Sequence, residues 1–137
     1  MNNIAYNINY IENNATPFAI ADGVVFIYTK ITREGYIMRY ITTNASNRIP
    51  LEVQLLMWHM YDTMLSKVKE RDYFQVFELY INPNGSQKIV HSQEVPEWKE
   101  ESILIVKLGV AVNEKVYIIR DELEDGYAET MLLAEDY

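Results

Sequence analysis

Near its start the chain alternates, with Ile4, Tyr6, Ile8 and Tyr10 on one side of an extended segment and Ala5, Asn7 and Asn9 on the other. A period of two marks a half-buried strand. Asp22-Gly23 then reads as a hairpin turn, because both residue types tolerate the positive φ that a two-residue turn demands. Beyond it Val25, Ile27 and Ile31 share a face, and Val24, Phe26 and Tyr28 take the other. A second turn is predicted over 32–35. Another strand follows over 36–43, with Met38 and Tyr40 opposed to Ile37 and Ile41.

The pattern changes after a polar break at 44–48. Pro50 suits the first helical position, where a missing N–H costs nothing, and Glu52 suits the positive end of a helix dipole. A helix is predicted over about 50–70, closing on Lys67, Lys69 and Arg71. At about 100° per residue, Val53, Leu56, Met57, Met60, Met64 and Val68 form one apolar stripe, the core face. Leu51, Leu55 and Trp58 point nearly the opposite way. That second patch is either covered by the N-terminal strands or offered to a partner or a second copy.

Period-two segments return over 73–81 and 87–95, flanking the turn Asn82-Pro83-Asn84-Gly85. Further strands are predicted over 103–108, 115–120 and 130–134, with an acidic turn at 122–126. Strands, helix, strands in that order predict a single α+β domain over 1–137. In it a long amphipathic helix packs on an antiparallel sheet, with an N-terminal β-meander ahead of both.

Composition narrows the chemistry. Cysteine is absent, which removes disulfides, thiolate metal sites and thiol nucleophiles. The first basic residue is Lys30 and no long apolar run occurs, so neither a targeting leader nor a membrane span is expected. The cytoplasm is the expected compartment. Net charge is −8, and it is concentrated: Asp121, Glu122, Glu124, Asp125, Glu129, Glu135 and Asp136 fall in the last 17 residues with no base among them. Such a surface repels phosphate backbones and anionic lipid, so direct binding of nucleic acid or membrane is not expected. A basic protein is the partner it suits.

No constellation promises catalysis. His59 with Asp62 nearby, and His91, are too few ligands for a metal site unless they converge with a further carboxylate. Glu94 with Glu97, or Asp121 with Asp125, are solvated turn carboxylates with no sugar platform or phosphate clamp beside them. Ser92 is adjacent to His91, and adjacent strand residues face opposite ways. No catalytic, metal or cofactor site is therefore expected. Tyrosine is in excess at 11 residues. Tyr6, Tyr10, Tyr28, Tyr36 and Tyr40 crowd the first third, either closing the sheet around Trp58 or forming a recognition face.

From about residue 36 onward the chain resembles the family known as domain of unknown function 960, found in Firmicutes such as staphylococci, enterococci and lactobacilli and in their phages and mobile elements. The likeness is carried by Arg39-Tyr40-Ile41-Thr42, Ile49-Pro50-Leu51-Glu52-Val53-Gln54-Leu55, Met57-Trp58 and Asp72-Tyr73-Phe74-Gln75-Val76-Phe77-Glu78-Leu79. It continues through Lys88-Ile89-Val90-His91-Ser92-Gln93-Glu94-Val95-Pro96-Glu97, Lys115-Val116-Tyr117-Ile118 and Thr130-Met131-Leu132-Leu133-Ala134-Glu135. The family has no assigned activity, so the resemblance implies context rather than mechanism. Against it, residues 1–35 look like a β-rich addition and the acidic turn looks extended; added segments are natural places for a new contact.

The expected function is a non-catalytic, acidic protein-binding module of a phage or mobile element. Its suggested target is a host nucleic-acid-handling enzyme such as a CRISPR nuclease, which makes it an anti-CRISPR-type inhibitor. Its expected contacts are Tyr6, Tyr10, Tyr28, Leu51, Leu55, Trp58, Asp121, Glu122, Glu124 and Asp125. The alternative is a housekeeping interaction or assembly protein, a homodimer joined through Leu51, Leu55 and Trp58. A small metal-dependent hydrolase using His59 or His91 is the third reading.

Overall fold

The computed structural model describes residues 19–20, 23–33 and 35–137, so the segment carrying Tyr6 and Tyr10 lies outside the described residues. Short turns generate the first hairpins. β1 (Ala19–Ile20) pairs antiparallel with β2 (Val24–Thr32), past Gly23 at φ 70°. β2 then pairs antiparallel with β3 (Gly35–Thr42), whose first residue closes the hairpin opposite Thr32.

Two helices follow. In α1 (Thr43–Arg48), the Thr42 hydroxyl accepts from the Ala45 N–H at 3.2 Å, satisfying one orphan donor of the first turn. This segment reads as a polar break in the sequence because Ala45 is its one buried residue, too little for a visible stripe. In α2 (Leu51–Thr63), Pro50 is the N-cap and Glu52 sits in the first turn. The chain then tightens into a 3₁₀ turn, Met64–Ser66.

The remaining strands are β4 (Phe74–Ile81), β5 (Gln87–Gln93), β6 (Trp98–Leu104), β7 (Glu114–Leu123) and β8 (Gly126–Leu133). A closing 3₁₀ turn spans Ala134–Asp136. The sheet order is β1-β2-β3-β8-β7-β4-β5-β6. Its one parallel pair among the described residues is β3 with β8, which joins the N-terminal hairpins to the rest. One core lies on the inner face of this sheet. Val53, Met57, Trp58, Met60 and Tyr61 of α2 pack there with Ile41, Phe77, Leu79, Ile89, Val116, Ile118, Met131 and Leu133.

The architecture corrects the α+β expectation. It is a strand-rich β fold built on one mixed sheet, with a small helix in place of a long one over 50–70. The α-helix has 13 residues and the 3₁₀ turn adds three. Its end has local causes. The Thr63 hydroxyl donates back to His59 O, and Lys67 N donates to Met64 O, three residues behind it. Arg71 then doubles back to donate to Tyr61 O, capping a carbonyl of the last turn with a cation. The sheet is mixed because β3 leaves it through α1 and α2, and β8 returns beside it in the same direction. Strand periodicity does not encode that order.

The β6 expectation also shifts, from 103–108 to Trp98–Leu104. The apolar run that suggested it is largely exposed, with Ile103 at 64%, Ile105 at 79% and Leu108 at 89%. Of these, Ile103 lies in β6, which forms one edge of the sheet and has a neighbour on one side, while Ile105 and Leu108 lie beyond the end of the strand.

The parallel seam depends on a close approach. Tyr36 N donates to Asp125 O at 2.9 Å, and Tyr36 lies opposite Gly126. A Cβ on Gly126 would stand 1.8 Å from Tyr36 O, so only a hydrogen fits there. Gly126→Ala is therefore expected to lower stability by about 2–3 kcal/mol in urea denaturation. A loss below about 0.5 kcal/mol, the range of an ordinary surface change, would show that the seam does not need this contact.

Candidate functional site

Three strands each place a charged residue in register with core-facing apolar ones. Arg39 follows Ile37 and precedes Ile41 on β3, Arg120 follows Ile118 on β7, and Glu129 precedes Met131 on β8. The register sets Glu129 opposite Arg39 on one side and opposite Arg120 on the other. Glu129 is fully buried and Arg39 is 5% exposed. A buried carboxylate is tolerated only with close counter-charge and filled hydrogen bonds.

Those partners are present. Arg39 Nε donates to Glu129 Oε1 at 2.9 Å, and the Tyr61 hydroxyl donates to Glu129 Oε2 at 2.6 Å. Arg71 Nη2 and Arg120 Nε approach the same Oε2 at 3.5 and 3.9 Å. Arg39 also grips both oxygens of Asp62 with its two terminal nitrogens. Aromatic faces hold the guanidinium groups. Arg39 lies 4.4 Å from the Trp58 ring centre, Arg71 lies 4.0 Å from Tyr61, and Arg120 lies 3.6 Å from Tyr127. Burial, and then the Glu129 charge, push the Tyr61 phenol well above its ordinary pKa, so it remains a donor.

This network floors a cleft of about 490 Å³ beyond the end of α2. Lys30, Thr32, Ile37, Asp62, Leu65, Lys69 and Glu70 complete its walls. Five of the chain's twelve basic residues line it, against three carboxylates. In a chain of charge −8, the cleft is locally positive by two.

A second buried polar chain runs beneath β5. His91 Nε2 is 2.7 Å from Gln75 Oε1. The Gln75 amide nitrogen donates to Gln93 Oε1 at 2.8 Å and to Asp72 O at 2.8 Å. That orientation leaves Gln75 Oε1 as the acceptor and places the imidazole proton on Nε2. Gln93 in turn ties down Glu70 O, Pro96 O and Asp72 N. The His91 ring stacks on Phe77 at 4.1 Å with Trp98 edge-on at 4.9 Å. The two networks share the segment between α2 and β4, which carries Arg71 into one and backbone groups into the other.

The sites suggested by sequence are dispersed. Asp121, Glu122, Glu124 and Asp125 form the exposed tip of the β7–β8 hairpin. Trp58 is 5% exposed beneath Arg39, so it does not share a surface with Leu55, which is 37% exposed. Leu51 is half-buried. Tyr28 lies in β2, while Tyr6 and Tyr10 lie outside the described residues. A tyrosine cluster does form, but from late residues: Tyr117 and Tyr137 pack with Phe74 at centroid distances of 4.6–5.7 Å, and Tyr73 adjoins Phe74. His59 is exposed on α2 whereas His91 is buried. Among the described residues no three His, Cys, Asp or Glu side chains stand together as a metal site would require. None of the described helices is long and apolar enough to cross a membrane.

The Arg39–Glu129–Arg120 row was missed by the sequence reading. Arg39 and Arg120 each stand as a charge among alternating apolar residues of a predicted strand, but Glu129 falls just before the strand predicted over 130–134 and reads as one more acid of the C-terminal segment.

The chain belongs to the family described as "Staphylococcal protein of unknown function (DUF960)", which matches residues 38–136. Its structure is similar to the crystal structure of a protein of unknown function from Enterococcus faecalis, with a TM-score of 0.58 at 22% identity. The similarity covers 72% of this chain and 89% of that one, and at this identity it bears on the fold alone. No curated protein matches.

Burial, and after it the nearby Arg71 and Lys67 charges, depress the His91 pKa from 6.5 to about 3. The unfolded chain takes up this proton below about pH 6.5 and the folded chain does not until about pH 3. The histidine's contribution is therefore complete above pH 6.5 and is lost as pH falls through that window. Acidifying from pH 7 to pH 5 is expected to cost about 2 kcal/mol. Urea denaturation at the two pH values should show the drop, and His91→Gln should lose most of it. An unchanged slope in that variant would place the pH dependence elsewhere.

Proposed function

We propose that this chain is a non-catalytic protein-binding module that meets a basic partner through its β7–β8 hairpin. The supporting observation is how differently the C-terminal acids are placed. Glu129 is buried, Glu135 is held by Arg48 at 2.5 Å, and Asp136 accepts from Asn44 at 3.2 Å. Asp121, Glu122, Glu124 and Asp125 are exposed and have no side-chain partner among the described residues. Four carboxylates at one hairpin tip steer a positively charged surface and discriminate against an acidic one.

In its narrower form the reading makes the partner a nucleic-acid-handling enzyme, with the positively charged channel of a CRISPR nuclease as the concrete case. Charge complementarity supports this form. The competing dimer through Leu51, Leu55 and Trp58 has lost its aromatic anchor to the core.

The test is calorimetric titration of the full chain into a type II CRISPR nuclease, with an Asp121→Asn, Glu122→Gln, Glu124→Gln, Asp125→Asn variant beside it. Binding is expected to weaken by roughly tenfold or more in the variant, and its salt dependence to flatten. No binding by the unaltered chain removes the nuclease as partner. Equal binding by the variant removes the hairpin as the contact.

A further inference from the structure

The cleft at the end of α2 carries more positive charge than its own carboxylates neutralise, and the surplus is located. Asp62 is engaged by the Arg39 fork, and Glu129 Oε1 by Arg39 Nε. Glu129 Oε2 is committed to the Tyr61 hydroxyl at 2.6 Å, so Arg71 reaches it only at 3.5 Å, beyond a good charge-assisted hydrogen bond. The side chain of Arg71 is 6% exposed, and its Nε has no hydrogen-bond partner among the described residues. Its one direct hydrogen bond among the described residues is to the neutral carbonyl of Tyr61, at 3.1 Å. On the rim, exposed Lys30 and Lys69 form no ion pair among the described residues. Ile37 and Leu65 add apolar wall beside these charges.

We propose that this cleft is a binding site for a small phosphate-bearing molecule, with the phosphate held among Arg71, Lys30 and Lys69 and the organic body against Ile37 and Leu65. The charge selects the group. A phosphate monoester carries about −1.5 to −2 near pH 7 and so closes the surplus of two, whereas a monocarboxylate closes half of it. Planar guanidinium forks match phosphate oxygens in pairs. The volume selects the size. About 490 Å³ falls within the usual range for small-molecule pockets and exceeds what a bare ion fills. A long nucleic acid is disfavoured by the −8 charge of the chain, which repels a polyanion extending past the cleft. The cleft adjoins the base of the acidic hairpin, since Ile37 pairs with Tyr127 and Arg120 immediately precedes Asp121, but its lining residues are not those of the contact proposed above, and the inference does not depend on that contact.

The test is calorimetric titration of the full chain with ribose 5-phosphate, inorganic phosphate, acetate and a short single-stranded oligonucleotide. It is repeated on a Lys30→Ala, Lys69→Ala variant, whose changes fall on exposed rim positions that leave the buried network intact. Saturable one-to-one binding of ribose 5-phosphate is expected, weakened by roughly tenfold in the variant while its circular dichroism and melting stay unchanged. Binding should also weaken as pH falls below about 6, where the ester dianion takes up a proton and drops to a single negative charge. Inorganic phosphate binding as tightly as the sugar phosphate would still support phosphate recognition, while assigning no role to the apolar wall. Acetate binding equally well, tighter binding of the oligonucleotide, equal affinity in the variant, or no saturation by either phosphate at about 10 mM would each overturn the proposal.

Discussion

The Glu129 carboxylate, the one fully buried among the described residues, stands on the inner face of the sheet, and the surrounding chain is arranged to neutralise it. Moving such a charge out of water costs several kcal/mol, which only close counter-charges and filled hydrogen bonds offset. Here they come from four elements: Arg39 on β3, Arg120 on β7, Tyr61 on α2 and Arg71 on the segment after it. Each contact fixes something larger. The Arg39 contact crosses the parallel β3–β8 seam, the one that joins the N-terminal hairpins to the remainder of the sheet. The Arg71 contact brings the chain back after Ser66, which helps explain why the helix stops where it does.

The same arrangement separates charge in space. Buried and half-buried cations gather at the end of α2, while the unpaired acids collect at the β7–β8 hairpin. A chain with net charge −8 thereby presents a positive recess and a negative projection rather than a uniform field. Neighbouring patches of opposite sign suit recognition of two different chemistries, a basic protein surface at the hairpin and a compact anion in the cleft beside it.

Much of the strand pattern was legible because period two survives in β3, β4, β5, β7 and β8. Turns are equally visible at 32–35 and at the acidic hairpin, where the turn expected over 122–126 tightens to Glu124 and Asp125 between β7 and β8. Other features were not. Alternation says nothing about strand order, so the parallel seam and its need for Gly126 could not be read from it. Helix length was overestimated because Val68 continues the apolar stripe past the point where Thr63 and Arg71 close the last turn. Trp58 was set opposite the core stripe, yet the buried arc of α2 also takes in Gln54 and Tyr61 and extends round to it. The acids at 121–136 read as one acidic segment, and folding divides them between core, local ion pairs and free surface. Arg39 and Arg120 were visible as charges on predicted strands, whereas Glu129 lay just outside one. Only the register shows that they meet.

The most direct test of this account is a double-mutant cycle between Arg39→Gln and Glu129→Gln, followed by urea denaturation. Residues in direct contact couple by about 0.5–3 kcal/mol, and a fully buried pair across the parallel seam belongs at the upper end, so a coupling of about 2 kcal/mol or more is predicted. A coupling within about 0.5 kcal/mol of zero, the margin for independent sites, would mean that the buried ion pair does not hold the seam.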